Sequence, residues 1–426
     1  MLKNYLKIAL RNLARHKGYA FINIMGLAVG IAASVLVMLY VVDELGYDRS
    51  LANAERIHRI TADWSNKGDS RIHQLGTPWI LAKTIRDKYP QVEALTQITG
   101  PLGDVVLRKG DDLALKETEV FAADASFFDV FAFPLVKGDP RTALRDPNAV
   151  VLSESLAAKV FGEDDPLDRT IEVQMTGTRT PHRVTGVMRD VPRNTHFRFE
   201  MLVSMSTIFP TPSTGWTNNN HITYLLLARG VTEAQMEEKL VEIDRVEYEG
   251  GRAHIPWIWT LEPVTRIHLH SDLVTGNQPN GSIGYVKLFT LVALLILVIA
   301  GINFVNLATA RSARRAREVG IRKVVGSTKR QLVGQFLGES VLLSFVALVF
   351  AVGLIQALLP AYRHLTGRPL ALPYFASPWV IPGLVGLALA VGVLAGLYPA
   401  LFRSSAKQTE VLKGSRYGGR NRGALA

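Results

Sequence analysis

Four stretches of this chain contain no Asp, Glu, Lys or Arg, and their lengths decide most of what it can fold into: residues 20–42, 288–310, 341–359 and 380–402. A helix advances about 1.5 Å per residue, so a run of about 23 residues covers roughly 34 Å against a bilayer hydrocarbon core of about 30 Å. One charged side chain at mid-bilayer would cost about 2.5–3.5 kcal/mol, which is why uncharged runs of this length mark spans. The first run follows Lys and Arg residues, as a secretory signal would. Signal cores are only about 7–15 residues long, however, and Asp43-Glu44 stands where small cleavage-site residues belong, so the run is an uncleaved anchor.

The whole chain has 48 Lys+Arg against 37 Asp+Glu, a net charge of +11. Such a balance raises the question of a nucleic-acid partner, and the placement of the charges answers it. Residues 1–19 hold five cations and no acid, 311–330 hold eight cations with Glu318 as the one acid, and 403–426 hold six with Glu410 as the one acid. The remainder of the chain is therefore net acidic. Basic charge confined to short stretches beside apolar runs follows the positive-inside rule and is unlike the basic face of a nucleic-acid binder. Alternating spans put those three stretches on one side, so both termini and the 311–330 loop are expected in the cytoplasm. Zero Cys excludes a disulfide scaffold, a Cys-ligated metal site and a thiol nucleophile.

The expected fold is an α-helical membrane protein of four transmembrane helices, with a large α+β extracytoplasmic domain inserted between the first and second spans. The expected division is a basic amphipathic helix at 1–19, spans at 20–42, 285–310, 334–359 and 379–402, and an outer domain at 43–284. A cytoplasmic coupling loop at 311–333, a short outer loop at 360–378 and a basic tail at 403–426 complete it. Within the outer domain, residues 55–61, 183–187 and 222–227 have strand character, with Gly, Pro and Asn clusters between them. Helical patterns cover 77–89 up to Pro90, 153–161 between a Ser cap and Gly162, and 232–246 behind a Thr cap.

Polar and small residues in the apolar runs suggest how the helices pack. Gly26 and Gly30, Gly334 and Gly338, and Gly392 and Gly396 are spaced four apart, a spacing that allows close helix approach. Asn303 and Asn306 fit interhelical hydrogen bonds, and Gln331, Gln335 and Glu339 form a polar stripe ahead of the third span. His268 and His270, with Asp272 and with His254 nearby, raise the question of a metal. On a strand both rings would share a face, but two ligands do not complete a tetrahedral site, so surface histidines are expected. Asp111-Asp112 and Asp164-Asp165 are turn acids. Neither a Gly-x-x-x-x-Gly-Lys-Ser/Thr loop nor a Gly-x-Ser-x-Gly elbow occurs, so no catalytic residue is assigned and the chain is not expected to be an enzyme.

The most informative stretch is residues 311–330. Arg314, Glu318 and Arg322 fall at i, i+4 and i+8, so Glu318 can bridge two guanidiniums along one helical ridge, each pair worth about 0.2–0.5 kcal/mol. Gly320 and Gly326 leave room for a partner to approach. Anionic lipid would attract the cations alone, at about 1 kcal/mol each, but it requires neither the acid nor two glycines at fixed positions.

This ordered run, Arg317-Glu318-Val319-Gly320-Ile321-Arg322-Lys323-Val324-Val325-Gly326, resembles the cytoplasmic loop of MacB/FtsX-type (type VII) ABC transporter permeases. The resemblance covers nearly the whole chain. It includes Asn23-Ile24-Met25-Gly26-Leu27 in the first run, Leu152-Ser153-Glu154-Ser155-Leu156-Ala157 with Phe161-Gly162, and Leu397-Tyr398-Pro399-Ala400 in the last. Asp168 stands where the family pattern has Gly, and Gln408 where it has Pro. Many permeases with this opening are roughly twice as long, and this chain resembles one four-span half of them.

The resemblance implies a bacterial inner-membrane permease with a MacB-like periplasmic core domain, acting by mechanotransmission. A separate ABC ATPase dimer would dock on Arg314, Arg317, Glu318, Gly320, Arg322, Lys323 and Gly326. ATP and Mg would be bound by that partner and not by this chain. Further implied partners are a second permease copy or half, a periplasmic adaptor or an exported substrate such as a peptide, lipoprotein or drug, and membrane lipids; nucleic acid is not among them. An FtsX-like scaffold that activates an outer partner without transport is the alternative.

Overall fold

The computed structural model describes residues 17–64, 72–110, 113–175, 177–216, 218–248, 257–273, 281–314, 328–372, 374 and 377–404. Two units divide the chain: Met1–Asp43 with Gly284–Ala426, and Glu44–Ile283. The first is a bundle of long helices and the second an α+β domain.

In the bundle, α1 (Lys17–Leu45) comes first in the chain. The α+β unit contributes α2 (Trp79–Lys88), α3 (Phe127–Phe131), α4 (Glu154–Phe161), α5 (Met205–Ile208), α6 (Glu233–Tyr248) and α7 (Val264–His270). The bundle then resumes with α8 (Ile283–Arg314), α9 (Lys329–Thr366) and α10 (Val380–Ser404). Among the described residues, four helices are long and apolar enough to cross a membrane, over Ala20–Leu45, Ile283–Thr309, Val333–Thr366 and Val380–Leu397. Their shared core is built of small and branched side chains, among them Ala28, Ile31, Ala347, Ala351 and Ala388. Small residues suit the interior, because in lipid close backbone approach takes the place of a hydrophobic drive.

The third span differs from the sequence expectation. A loop is expected from residue 360, yet α9 continues through Pro360 to Thr366, where Gly367 adopts a left-handed cap at φ 65°. Proline is tolerated in membrane helices because neighbouring groups take up the freed carbonyl. At about 1.5 Å per residue the 38 residues of α9 run for about 57 Å, longer than the hydrocarbon core requires.

The α+β unit carries β1 (Ile57–Trp64), β2 (Ile72–Leu75), β3 (Val92–Thr99), β4 (Val105–Lys109), β5 (Leu113–Glu117), β6 (Val120–Ala123) and β7 (Leu135–Lys137). It continues with β8 (Ala149–Ser153), β9 (Thr170–Met175), β10 (Thr178–Met188), β11 (Met201–Ser204), β12 (Ile222–Leu227) and β13 (Trp257–Pro263). These strands form one sheet in the order β13-β1-β12-β3-β6-β11-β8-β10-β9-β4-β5, with β2 on β1 and β7 on β10. Pairing is antiparallel except for β10 with β8 and β11 with β6.

The period of two along a strand explains the layers. Val151 on β8, Leu202 on β11, and Tyr224 and Leu226 on β12 all enter one aromatic-rich core with Phe127, Phe131 and Phe197. Their alternates face the other way. Val150, Leu152, Met201 and Val203 pack under α4 with Leu156 and Val160, while Leu225 and Leu227 pack with Leu81, Ile85, Met236 and Leu240 of α2 and α6. Helix α4 begins at the expected place: Leu156 N donates to Ser153 Oγ at 3.0 Å, and Gly162 closes the helix at φ 61°. Asp168 holds a left-handed turn at φ 59°, a conformation that Gly adopts most readily and Asp tolerates.

Candidate functional site

Of the residues expected to dock an ATPase, Arg314 ends α8, while Arg317, Glu318, Gly320, Arg322, Lys323 and Gly326 lie outside the described residues. So do residues 1–16 of the helix expected at 1–19, the tail from 405 with Gln408 and Glu410, His254, and Asp111-Asp112. The structure does define where the chain rejoins the bundle after residues 311–327. Thr328 caps α9 in a reciprocal box: Gln331 N donates to Thr328 Oγ1 at 3.4 Å, and Thr328 N donates to Gln331 Oε1 at 3.0 Å. The signal was present as Thr-x-x-Gln ahead of an apolar run, a spacing that satisfies two orphan N–H groups at once. Gln331, expected in the polar stripe, is the N3 residue of this cap.

The glycine pairs divide into two kinds. Gly30 backs directly onto Ala300 of α8, with no room for a Cβ, and a Cβ at Gly26 would lie 3.4 Å from the Asn303 amide nitrogen. On α10, a Cβ at Gly392 would meet Ser344 and lie 2.8 Å from Val341 Cα, and one at Gly396 would lie 2.9 Å from Ser340 Cβ. Gly334 and Gly338 face open space. Two buried serines fasten the same helices to each other. Ser34 Oγ donates to Ala293 O at 2.9 Å, and Ser344 Oγ donates to Ala388 O at 2.8 Å. Asn303 and Asn306 are exposed on α8 and, among the described residues, form no hydrogen bond across helices, because the buried stripe of α8 runs through Ala293, Ala300 and Phe304. At the other end of the bundle Arg368 pairs with Asp43 at 2.7 Å, and its guanidinium lies 4.7 Å from the Tyr40 ring centroid.

The α+β unit holds a buried polar network that the sequence did not announce. Asp48, in a left-handed turn at φ 60°, accepts from both His196 N at 2.9 Å and His196 Nδ1 at 2.8 Å. Tyr224 OH lies 2.9 Å from His196 Nε2, and Arg59 reaches Glu262 at 2.5 Å. Burial pushes the Tyr224 phenol well above its ordinary range, against the pull of the Arg59 guanidinium. Elsewhere in the sheet His221 is buried beside Trp79 and Phe209 and shares a 2.7 Å hydrogen bond with Thr99; burial lowers its imidazole to about 4.

The histidine expectation is corrected here. His268 and His270 lie on α7, not on a strand, and residues two apart on a helix point to nearly opposite sides. His268 is buried and its Nε2 donates to the Glu44 carboxylate at 2.7 Å, whereas His270 is exposed; Asp272 pairs with His73 at 2.9 Å. Among the described residues no group of three or more His, Asp or Glu is placed to hold a metal.

A four-helix membrane unit with a single-sheet α+β domain inserted after its first helix defines a multi-pass membrane protein. A family model for the MacB-like periplasmic core domain matches residues 20–243, and one for the FtsX-like permease C-terminal region matches 290–407. The chain belongs to the MacB/FtsX-type permease family. It is similar to the macrolide export ATP-binding/permease protein MacB of Neisseria meningitidis serogroup B, with 24% identity over 410 residues, 92% of this chain and 58% of that protein. It thus spans somewhat over half the length of that curated relative. The uncharacterized ABC transporter permease YvrN of Bacillus subtilis is 20% identical over 449 residues, covering 96% of this chain and 99% of YvrN. The crystal structure of the periplasmic region of MacB from Actinobacillus actinomycetemcomitans matches 51% of this chain and 92% of its own with a TM-score of 0.37 at 20% identity.

Proposed function

We propose that this chain is the permease subunit of an ABC transporter of the mechanotransmission type. A separate ATPase hydrolyses ATP with Mg, docks on residues 311–330, and drives movements of the 44–283 domain that export or extract a substrate such as a peptide, lipoprotein or drug. In this reading both termini and the docking segment are cytoplasmic and the inserted domain is periplasmic, since the three basic stretches flank the spans on one side. Two docking sites on an ATPase dimer call for a second permease copy or half.

The observation that carries the reading is the insertion of a MacB-like core domain directly after the first of four spans, within family matches that together reach from residue 20 to 407. The chain's own part is mechanical. The Thr328–Gln331 box fixes where the docking segment becomes α9, and the tight Gly392 contact with Val341 ties α9 to α10, so that a push on the segment is passed along packed helices. The test is affinity capture of the full chain from native membranes followed by an ATP hydrolysis assay. Recovery of an ABC ATPase whose rate depends on this chain is expected; recovery of the chain without any such activity refutes the proposal.

A further inference from the structure

The inserted domain begins at Glu44 and ends at Ile283, and Gly281, two residues before that end, packs against Glu44. Glu44 is 2% exposed and His268 4%, and His268 Nε2 donates to the Glu44 carboxylate at 2.7 Å. Tyr47 lies flat on the imidazole, with ring centroids 3.4 Å apart and planes within 5°. From the other end of the domain, Gly281 packs onto the same pair: a Cβ there would stand 2.5 Å from Glu44 Oε2, 2.7 Å from His268 Nε2 and 3.0 Å from Leu269 Cδ2. Leu45 is the last residue of α1 and Ile283 the first of α8, so the two covalent connections of the domain are joined at one buried acid–imidazole contact.

We infer that Glu44, His268 and Gly281 form a clamp that makes the two chain connections of the domain move as one, and that displacement of α1 and α8 enters the domain through it. This rests on the proposed function. The physical reason is that a buried polar pair opens only at the expense of both partners, so it resists separation far more than two independent tethers would. The Asp48 turn, four residues beyond Glu44, prevents the clamp from floating, because it is fastened to His196 by side chain and backbone, and Asp48 N donates to Asn194 O at 2.9 Å. A Cβ at position 281 would force the Glu44 carboxylate or the His268 ring to shift, so the glycine backbone is part of the contact.

The test uses the full chain with its ATPase in lipid nanodiscs and reads hydrogen exchange. Gly281→Ala is expected to speed exchange in 264–270 about tenfold while leaving 149–161 unchanged, the signature of local and not global opening. The ATP-dependent change in exchange within the domain should be lost although ATPase binding persists. Glu44→Gln should act likewise, and the exchange of partners, Glu44→His with His268→Glu, should restore part of both effects. Unaltered exchange in 264–270 for both single variants overturns the clamp, as does a retained ATP response with the clamp opened. If the native chain shows no ATP response, the transporter reading fails separately, and the exchange in 264–270 still decides whether the clamp exists.

Discussion

Gly30 of α1 and Ala300 of α8 are so closely apposed that the alanine methyl occupies the space a side chain at position 30 would need. Gly30→Leu should therefore push the two helices apart and lower the stability of the bundle by about 1–3 kcal/mol, the usual range for overpacking. Gly338→Ala, where the added carbon meets open space, should be neutral or slightly stabilising, since glycine inside a helix costs about 0.5–1 kcal/mol relative to alanine. Thermal unfolding of the full chain in detergent distinguishes the two; equal effects would mean that the spacing of the glycines and not their surroundings matters.

On the opposite helix pair, Gly392 and Ser344 share one space. Gly392→Ala should destabilise because Val341 Cα at 2.8 Å is backbone and cannot swing aside. Ser344→Ala alone loses the hydrogen bond to Ala388 O, worth about 0.6 kcal/mol in a membrane. With the serine removed, the alanine at 392 has more room, so a double-mutant cycle should show coupling of about 0.5 kcal/mol or more. Strict additivity would contradict the contact.

Arg59 is fully buried and its partner Glu262 is partly buried, with 13% of its side chain exposed. Arg59→Met strands the carboxylate and should cost about 3–5 kcal/mol, whereas Arg59→Met with Glu262→Met should recover most of that loss, since an apolar replacement of a whole buried pair is often neutral. Denaturant unfolding followed by tryptophan fluorescence measures both.

His221 gives the sheet a pH dependence. Its imidazole is ordinarily half-protonated at 6.5 and burial lowers this to about 4, so between those values the unfolded chain binds a proton that the folded domain refuses. Stability should fall as pH drops from about 6.5 to 4, by up to about 3 kcal/mol, and change no further from this source below 4. His221→Gln should flatten that slope. An unchanged slope would place the sensitivity in other groups.

Much of this architecture is legible in the residues themselves. The absence of charge over 20–42 and the later runs identifies the spans because bilayer crossing is a one-dimensional constraint, and the strand at 222–227 and the Ser153-capped helix follow from local patterns. What escaped depends on distant partners. His268 lies in a helix of seven residues, too short for its period to separate helix from strand, and its burial requires Glu44, 224 positions away. Arg59, equally, looks like one cation in a strand until Glu262 is brought beside it by β13. The cap at Thr328–Gln331 is the exception, a local signal masked by its neighbours in a polar stripe.

The proposed function has residues 311–330 receive force from a partner ATPase. It is tested most directly by reconstituting the full chain with that ATPase and comparing native protein with Glu318→Lys and Gly320→Arg. Both variants should insert and fold as the native chain does but lose ATPase assembly and the ATP-dependent response of the 44–283 domain. Native assembly and response in both variants would contradict it and leave the segment a set of charges facing lipid.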